Sequence, residues 1–443
     1  MEAVVPAVKK ALRRVDPVQL HFLENCVACA ACESVCPYTP ISKLYSPVNK
    51  AEELRFMYRK VMTISGRLLG PLVHAKIPKT EEELEWIREV AYRCTNCWHC
   101  YTVCPFGINS GSMISVLRTF VDSIGMTPTI LKAFEQFEAS GRFMENEGLA
   151  RVWQQILDQA KEAVGGDLPL DKRGAEVLYM PWLAEAMFVP DSVVNTIRIL
   201  SKIGVDWTMP SKPLAIRPAV GSVTGNLEQK KAVLSAIDSY LREFGAKTVL
   251  LSDGGFPYPD LRFEMPGVVG RVPEYRVLHL AEFLVELLRE GKVKFKAGSD
   301  KVTWHDPCKL ARAGGVIPEP RILLREATTE FRELPHHGAE SYCCGGGSGM
   351  GCMTRDLHEA MGQLTGMKFE LSERESEFIE KAEQAYIKSI ERKMRDVKES
   401  GAEVVVTACP VCVETIQRGS SLYGPEVKAL HLATYLVDRI EPA

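Results

Sequence analysis

Five cysteines in the last third of the chain occur in an unusual order. One precedes an adjacent pair, and a CxxC pair follows; they are Cys308, Cys343, Cys344, Cys409 and Cys412. Adjacent cysteines do not readily form a disulfide with each other. In a reducing compartment, clustered cysteines indicate metal binding or redox chemistry rather than structural disulfides. The order therefore predicts a metal or redox centre in this part of the chain.

The segments around these cysteines predict that the five thiols meet. Each cysteine follows a short β-branched segment or lies in a turn, and the strand predicted at 403–407 leads to a helix that Pro410 can open. Ligands of open α/β sheets bind at the carboxyl edge of the strands, and helix N-termini there stabilise thiolates. We expect the five thiols at one such edge.

Eight further cysteines form two runs of CxxCxxCxxxCP, a spacing typical of two-cluster bacterial ferredoxins. Three thiolates of each run wrap one [4Fe–4S] cubane, and the fourth, ahead of a proline, is expected to begin a helix directed at the other cubane. The predicted ligand sets are Cys26, Cys29, Cys32 and Cys104 for one cubane, and Cys94, Cys97, Cys100 and Cys36 for the other. A pair of zinc sites is the alternative, but zinc does not explain the fourth cysteine or its proline.

An internal repeat connects the rest of the chain. The segment 174–186 matches 299–311 in pattern, 217–226 corresponds to the turn after Ser341, and 244–256 overlays 400–412. In the first copy the cysteines are replaced by Leu183 or Trp182, Ala219, Val220, Asp253 and Phe256. The second copy is about 32 residues longer, and its insert, 371–399, carries an apolar helical stripe typical of a helix packed on a core. A docking helix beside the site is the alternative for this insert.

The predicted fold is α+β with several domains. A leader helix at 1–20 precedes a helical two-cluster ferredoxin domain at 21–125 and a helical linker at 126–173. Two pseudo-symmetric α/β halves follow at 174–298 and 299–443, and only the second has the full cysteine set. The leader is amphipathic and basic, which is compatible with docking to a membrane surface or anchor subunit and equally with packing on a core.

The composition and sequence pattern of the chain argue against a nucleic-acid-binding protein and against a membrane-spanning one. Lys and Arg number 54 against 57 for Asp and Glu, so nothing favours nucleic acid as a partner. We find no apolar run long enough to span a bilayer and no secretory signal pattern, which predicts a cytoplasmic chain.

The cysteine pattern resembles the CCG family, the cysteine-rich domain of heterodisulfide reductase and of related membrane redox complexes of sulfate reducers. A ferredoxin segment ahead of two CCG copies is similar to the D subunit of the membrane-bound heterodisulfide reductase. Loss of one cysteine set favours the single-cluster branch, which includes the catalytic subunit of the Dsr sulfite-reduction complex (DsrK) and similar Tmc and Hmc subunits.

This resemblance implies a cofactor, a reaction and partners. The five late cysteines would bind one noncubane [4Fe–4S] cluster that cleaves S–S bonds, and Gly345, Gly346 and Gly347 would let the backbone approach its sulfides. Electrons would come through the cubanes from a membrane haem b or quinol-oxidising anchor subunit. The substrate would be a DsrC-like sulfur-carrier protein. The chain would then be peripheral on the inner face of the membrane, held there by other subunits of the complex.

Several residues near this centre have open roles. The open iron site is expected beside Cys343 and Cys344, and His305 and His337 are candidate proton donors, although a histidine bonded to backbone or sulfide is the alternative for each. Lys309 and Arg312 either offset the cluster charge or are solvated. Cys352, left without a ligand role, is expected to be a small buried apolar residue.

Two other functions remain open. The chain could be an electron-transfer subunit that serves a flavin site of a partner, as in glycerol-3-phosphate or 2-hydroxy acid oxidation complexes. The late cluster could also be purely structural. The iron content separates a chain with three clusters from a chain with two.

Overall fold

The computed structural model describes residues 3–140, 145–212 and 220–443. Its N-terminal part is helical, as predicted, and 3-10 turns at Ala31–Ser34, Lys43–Tyr45 and Gly70–Val73 join some of the helices. The helices are α1 (Val4–Leu12), α2 (Pro17–Glu24), α3 (Pro47–Met62), α4 (Ile64–Leu69), α5 (Glu81–Tyr92), α6 (His99–Thr102) and α7 (Ser110–Ser123). Helix α7 lies at the centre, because its apolar face is buried against α1, α3 and α5.

The prediction of a helix beginning at the fourth cysteine of each run was wrong. Turns follow both Cys36 and Cys104. After Cys104 the chain must reverse before α7, and Gly107 provides this turn with a φ of +61°. Asn109 then caps α7 by accepting a hydrogen bond from the Ser112 amide.

The leader helix packs on the core. Val8 and Leu12 of α1 are buried among the residues of α7, whereas Val5 on another face is exposed. Most of the apolar face of α1 is therefore used inside the molecule, which favours the core-packed interpretation of this segment over membrane docking.

Two helices connect the cysteine runs to the α/β part. These are α8 (Thr129–Ala139) and α9 (Glu147–Val164). Ile130 and Leu131 of α8 join the ferredoxin-like core, while Trp153 and Ile156 of α9 join the α/β core. The segment predicted as a linker is thus divided between two cores.

The α/β part contains two four-stranded parallel sheets with the same strand order. The strands are β1 (Val177–Tyr179), β2 (Trp207–Thr208), β3 (Thr248–Leu251), β4 (Arg276–His279), β5 (Val293–Phe295), β6 (Gly298–Trp304), β7 (Thr328–Phe331), β8 (Val404–Thr407), β9 (Lys428–His431) and β10 (Ile440–Pro442). One sheet has the order β2-β1-β3-β4 and the other β7-β6-β8-β9. Strands β5 and β10 form an antiparallel pair. The matching orders confirm the repeat found in the sequence.

Helices connect and cover these strands. In the first half they are α10 (Leu183–Phe188), α11 (Pro190–Lys202), α12 (Gly221–Thr224), α13 (Leu227–Phe244), α14 (Pro257–Pro259), a π-helical turn (Asp260–Glu264), α15 (Met265–Val269) and α16 (Leu280–Arg289). In the second half they are a π-helical turn (Lys309–Ala313), α17 (Pro318–Ala327), a 3-10 turn (Gly338–Glu340), α18 (Arg355–Thr365), α19 (Glu373–Ser400), α20 (Pro410–Tyr423) and α21 (Leu432–Leu436). Ala219, the predicted counterpart of Cys343, lies outside the described residues.

Two equivalent histidines lie where the halves meet. His279 and His431 each end the fourth strand of their sheet and accept a hydrogen bond from the second residue of the next helix. Both rings donate to the Ser252 carbonyl, at 3.0 and 3.1 Å. Burial lowers the pKa of each histidine to about 4. Both histidines are therefore neutral and have a structural role, because they hold the two halves together through the Ser252 carbonyl oxygen.

The insert predicted at 371–399 lies on α19, which packs on the core. Helix α19 occupies the place of α13, and both end at a glycine with a φ of +63°, Gly401 and Gly245, so the residues that the second half adds are α18 and the greater length of α19. Its predicted apolar stripe is buried throughout, at Ile379, Ala382, Tyr386, Ile390, Met394 and Val397. The stripe packs on α20, which carries Cys412.

Packing between α19 and α20 depends on Gly419. A Cβ at this position would lie 2.6 Å from Ile390 Cγ2 and 2.7 Å from Met394 Cγ. Alanine in a helix is ordinarily more stable than glycine, but here we expect Gly419→Ala to lower the free energy of unfolding by about 1–3 kcal/mol because of overpacking. Denaturant unfolding measures this change. The exposed neighbour Ser421→Ala serves as the control, with a change within about 0.5 kcal/mol; a stabilised Gly419→Ala protein would contradict the packing described.

Candidate metal centres

The structure brings together the two sets of four cysteines that the sequence predicted. One small cavity is lined by Cys26, Cys29, Cys32 and Cys104, and a second by Cys36, Cys94, Cys97 and Cys100. Each set therefore combines three cysteines of one run with the fourth of the other. Burial, and then the charges of Cys36, Cys26 and Cys104, raise the pKa of Cys32 to about 12.

The two CxxCxxC loops have the same unusual backbone. Ala28 and Ala30 have φ angles of +53° and +62°, and Asn96 and Trp98, at the same two positions of the other run, have +51° and +62°. Residues other than glycine rarely adopt this conformation, and it persists where the surroundings require it. The repeated conformation turns three thiols of each run towards one point, which fits a cubane.

The two cubane sites differ in depth. Cys29 of the first set is exposed, whereas Cys36 of the second is buried. The buried Lys50 places its ammonium 3.8 Å from Cys36 Sγ and donates to the Arg93 carbonyl at 2.6 Å. A cation beside a thiolate stabilises its negative charge. The first site is the one that a redox partner can approach.

The five late cysteines converge at the carboxyl edge of the second sheet. Cys344 and Cys412 have their Sγ atoms 3.3 Å apart, and both are buried with Cys409. Hydrogen bonds with Cys308, Cys344 and Cys97 raise the pKa of Cys343 well above its usual range. Cys409 is the N-cap of α20, with Pro410 as the first helical residue, as the sequence predicted.

The glycine turn after the adjacent cysteines leaves no room for side chains. Gly345 has a φ of +100°, and a Cβ there would lie 2.3 Å from Ser389 Oγ. At Gly346 a Cβ would lie 2.3 Å from Thr415 Oγ1. The Gly345 amide donates to Cys343 Sγ at 3.4 Å. The turn holds backbone against sulfur, and together with five convergent thiols this fits a sulfur-ligated iron cluster.

The two predicted proton donors have different surroundings. His305 is buried and lies against Cys344, and its ligand nitrogen and the sulfurs of Cys344 and Cys412 all lie within 4.8 Å of one another. His337 is exposed, does not line the cavity beside the thiols, and shares a hydrogen bond of 2.8 Å with the Leu334 carbonyl. The backbone-bonded alternative therefore describes His337 better than a role in proton transfer.

The second cubane site touches the late thiols directly. Cys343 Sγ donates to Thr95 Oγ1 over 3.4 Å, in the loop between Cys94 and Cys97. From the other side, Arg312 Nε donates to the Cys97 carbonyl at 2.6 Å. Arg312 also donates to the Ser341 carbonyl at 2.7 Å. The two metal centres therefore share one wall, and Arg312 is a half-buried residue whose guanidinium is held by backbone carbonyls rather than by solvent alone.

An apolar cavity of about 210 Å³ adjoins the late thiols and is lined by Cys308, Cys344, Cys409 and Cys412 and by Thr95 of the second cysteine run. Its walls come from all three parts of the molecule, including Phe134 of α8, Trp182 and Phe256 of the first half, and Met361 of the second. Cys352 lines the cavity as well, and burial raises the pKa of its thiol to about 11. Lys309 is buried above the rings of Trp98 and Phe256. Because four of the five late cysteines line this cavity, a cluster bound by them would occupy part of it, and the apolar walls enclose the remaining space.

Two buried carboxyl groups lie close together in the first half, and one of them replaces a cysteine of the second half. Asp253, the counterpart of Cys409, lines the cavity opposite the thiols. Burial raises the pKa of Asp253 to about 7, and burial together with the charge of Asp253 raises the pKa of Glu185 to about 8. Ser252 donates to Glu185, and Asp253 accepts from the Gly255 amide at 2.7 Å. In the sequence, Asp253 is recognisable only as the residue that replaces a cysteine ligand. A carboxyl group buried at the end of a strand is itself an indication of a functional site.

Comparisons with known proteins agree with these two regions. The 4Fe-4S dicluster domain family matches residues 22–108, and the cysteine-rich domain (CCG) family matches 302–379 and 376–417. The chain is 27% identical over 401 residues to Hdr-like menaquinol oxidoreductase iron-sulfur subunit 2 of Archaeoglobus fulgidus, covering 79% of this chain and 71% of the relative. It is 27% identical over 420 residues to the D subunit of the dihydromethanophenazine:CoB–CoM heterodisulfide reductase of Methanosarcina acetivorans, covering 92% and 91%.

A more distant relative carries a different activity in its name. The B subunit of the fumarate reductase (CoM/CoB) of Methanothermobacter marburgensis is 23% identical over 417 residues, covering 91% of this chain and 70% of the relative. Among solved structures, an Asp/Glu racemase from Yersinia pestis covers 59% of this chain at 10% identity, with a TM-score of only 0.25. Among the described residues, no helix has the length and apolar character needed to cross a membrane.

Iron content tests the three centres. If the late thiols hold a cluster, the chain purified without oxygen should carry about twelve iron atoms, and Cys344→Ser should reduce this to about eight. Cys352→Ser is the matched control, since Cys352 lines the same cavity and is expected to leave the iron content unchanged. Iron and acid-labile sulfide assays give the numbers. About eight iron atoms in the unaltered chain would contradict a cluster at the late thiols.

Proposed function

We propose that this chain, which carries a 4Fe-4S dicluster domain followed by a cysteine-rich domain, reduces a disulfide or trisulfide with electrons received through its cubane sites. The observation that carries the proposal is one arrangement of sulfur. Cys343 touches the second cubane site through Thr95 and Cys97, and the other four late thiols line a cavity whose apolar walls extend beyond them.

We propose that the cysteines of this chain bind three iron–sulfur clusters. The cubanes would be held by the two sets of four cysteines, and a noncubane [4Fe–4S] cluster by Cys308, Cys343, Cys344, Cys409 and Cys412. When bound there, such a cluster supplies single electrons and an iron site for sulfur. The reaction itself takes two electrons and two protons and turns one S–S bond into two thiols.

The order of the centres follows from their depth. Cys29 exposes the first cubane site at the surface, and the second lies between it and the late thiols. A donor would therefore pass electrons to the first cubane, then to the second and then to the late thiols. The exposed Cys29 does not line the cavity at the late thiols, so the electron donor and the substrate would use different surfaces.

The buried carboxyls supply a route for protons. Asp253 faces the cavity, and Glu185 follows it behind Ser252. With pKa values raised to about 7 and about 8, both groups hold protons near neutral pH. Asp253 can therefore give a proton to a thiolate formed in the cavity, whereas Glu185 does not line the cavity. His305, whose ligand nitrogen lies within 4.8 Å of the Cys344 and Cys412 sulfurs, stays the other proposed proton donor.

The wider setting is proposed from the relatives. Their names place them in a menaquinol oxidoreductase and a heterodisulfide reductase. We propose that the chain works beside a membrane protein with haem b or a quinol site, as one of several subunits. The DsrC-like protein stays our proposed substrate, because an apolar cavity suits a cysteine on a mobile protein tail.

An electron-transfer role is the second candidate. The relative named as part of a fumarate reductase shows that similar chains serve other reactions. In that role the late thiols would pass electrons to a partner and would need no substrate cavity. The cavity at the thiols favours disulfide reduction.

Disulfide reduction by the isolated chain tests the function. With a chemical reductant of low potential and a small aromatic disulfide, free thiols should appear catalytically. Cys344→Ser should abolish this activity and keep the absorbance of both cubanes. Cys352→Ser again serves as the control with unchanged turnover. If the chain carries all its iron but reduces neither a small disulfide nor a DsrC-like protein, the electron-transfer role replaces the proposal.

Replacing Asp253 tests the proton route. Since its pKa is raised to about 7, the protonated donor is present below that pH and is lost above it. We expect Asp253→Asn to lower turnover about 100-fold and to remove the decline of activity above pH 7, while Km changes little.

Asp260→Asn is the matched control for this test. Asp260 also lines the cavity and is buried, but its carboxylate pairs with Lys230 at 3.2 Å. Turnover and pH profile should stay near those of the unaltered chain. An Asp253→Asn protein with an unchanged pH profile would show that Asp253 has only a structural role.

A further inference from the structure

One short segment of the ferredoxin-like domain exposes large apolar side chains. Ile64, Leu68 and Leu72 are 75%, 80% and 84% exposed, and Met62 and Leu69 are 53% and 49% exposed. We call these five residues the apolar tip. They lie on α4 and its two flanking segments, inside the helical insertion between the cysteine runs. Solvent-exposed apolar residues this close together indicate an interaction surface.

The apolar tip is an ordered structure. Gly66 packs on the end of α3 so closely that a Cβ would lie 2.0 Å from the Arg59 carbonyl oxygen. The chain then returns, with the Ala75 amide donating to Gly70 and the Lys76 amide donating to Phe56 at 3.2 Å. Small residues face the domain and large apolar residues face outward. Burial inside the chain therefore does not explain the large residues.

The charges around the tip have one sign. The segment 54–80 contains six Lys and Arg residues and no Asp or Glu. Within the described chain, Lys60, Arg67, Lys76 and Lys79 form no ion pair with a carboxylate. Instead Lys60 and Arg67 bond to backbone carbonyls, and Lys76 lies over the Phe56 ring. Lys76 shares a small pocket with Glu53 and Glu83, so the basic charge beside the apolar side chains that has no carboxylate partner is that of Lys60 and Arg67.

We propose that the apolar tip inserts into the surface of an anionic lipid bilayer. Aliphatic side chains enter the boundary between headgroups and acyl chains, while Lys and Arg around them bind anionic headgroups. A protein partner is less well matched, since the tip has no aromatic anchor and leucine and lysine contribute little at protein interfaces. The tip would hold the chain at the membrane surface through its own residues.

This inference rests on the proposed membrane location but not on the proposed reaction. The late thiols and the cavity are formed by other elements, and no residue of the tip lines that cavity. Lipid binding and disulfide reduction can therefore fail separately, and each is measured on its own.

Vesicle binding of the full chain, with its clusters, tests the proposal. We expect the chain to sediment with vesicles of phosphatidylcholine and phosphatidylglycerol, and to bind pure phosphatidylcholine much more weakly. Leu68→Ser and Leu72→Ser should each weaken binding about tenfold. Arg67→Gln should weaken it about fivefold at low salt and reduce its salt dependence.

Val272→Ser is the matched control, because Val272 is 84% exposed but lies in the first α/β half, far along the chain from the tip. It should bind vesicles as the unaltered chain does. All variants should keep the iron content and the turnover with a chemical reductant, since only exposed side chains change. Equal binding by the Leu72→Ser protein, or binding only to vesicles that contain a membrane protein partner, would overturn the lipid proposal; the second result would assign the tip to that partner.

Discussion

The contact between the second cysteine run and the adjacent pair of the late set is the interaction on which the molecule depends. Cys343 meets Thr95 and Cys97, and Arg312 fixes the Cys97 carbonyl from the opposite side. Two domains that are far apart in the sequence are therefore in direct contact through buried sulfur and backbone atoms. Electron transfer between metal centres requires such proximity, and a chain with flexibly joined domains would not provide it.

The rest of the architecture holds this contact in place. Helix α19 extends from the second α/β half to the ferredoxin-like core, where Glu375 pairs with Arg88 and Phe378 lies beneath the Arg93 guanidinium. Arg118 of α7 donates to the Ser348 carbonyl in the glycine turn at 3.3 Å. Buried cations with several backbone partners fix geometry more than they add stability. Helix α19 thus connects the second α/β half to the ferredoxin-like domain.

The two α/β halves, which share one strand order, contribute different residues to the cavity at the late thiols. The second half supplies thiols at its sheet edge, while the first half, with the same strand order, supplies the opposite wall of the cavity. Where the second half has Cys409, the first has Asp253, a buried carboxyl that faces the thiols. The second half therefore supplies the sulfur ligands, and the first half supplies a proton donor and apolar surface. Two identical cysteine sets would not provide both.

Much of this arrangement could be predicted from the sequence, and the exceptions have physical reasons. Local spacing determines which thiols share a cubane, so both sets of four were grouped correctly, and the repeat predicted the matching sheets. The contact of Thr95 with Cys343 joins residues that no local pattern connects. The sequence left two roles open for His337, and its contact with the Leu334 carbonyl agrees with the backbone-bonded one. No sequence pattern singled out Leu68 and Leu72, because only the fold shows that Gly66 and Gly70 occupy the inner face.

The most direct measurement is the anomalous scattering of a crystal of the purified chain at the iron edge. The account predicts three iron centres in sequence, the last one enclosed by Cys308, Cys343, Cys344, Cys409 and Cys412 and bordering the apolar cavity. Two iron centres with none at the late thiols, or a lone zinc signal at Cys344 and Cys412, would contradict it.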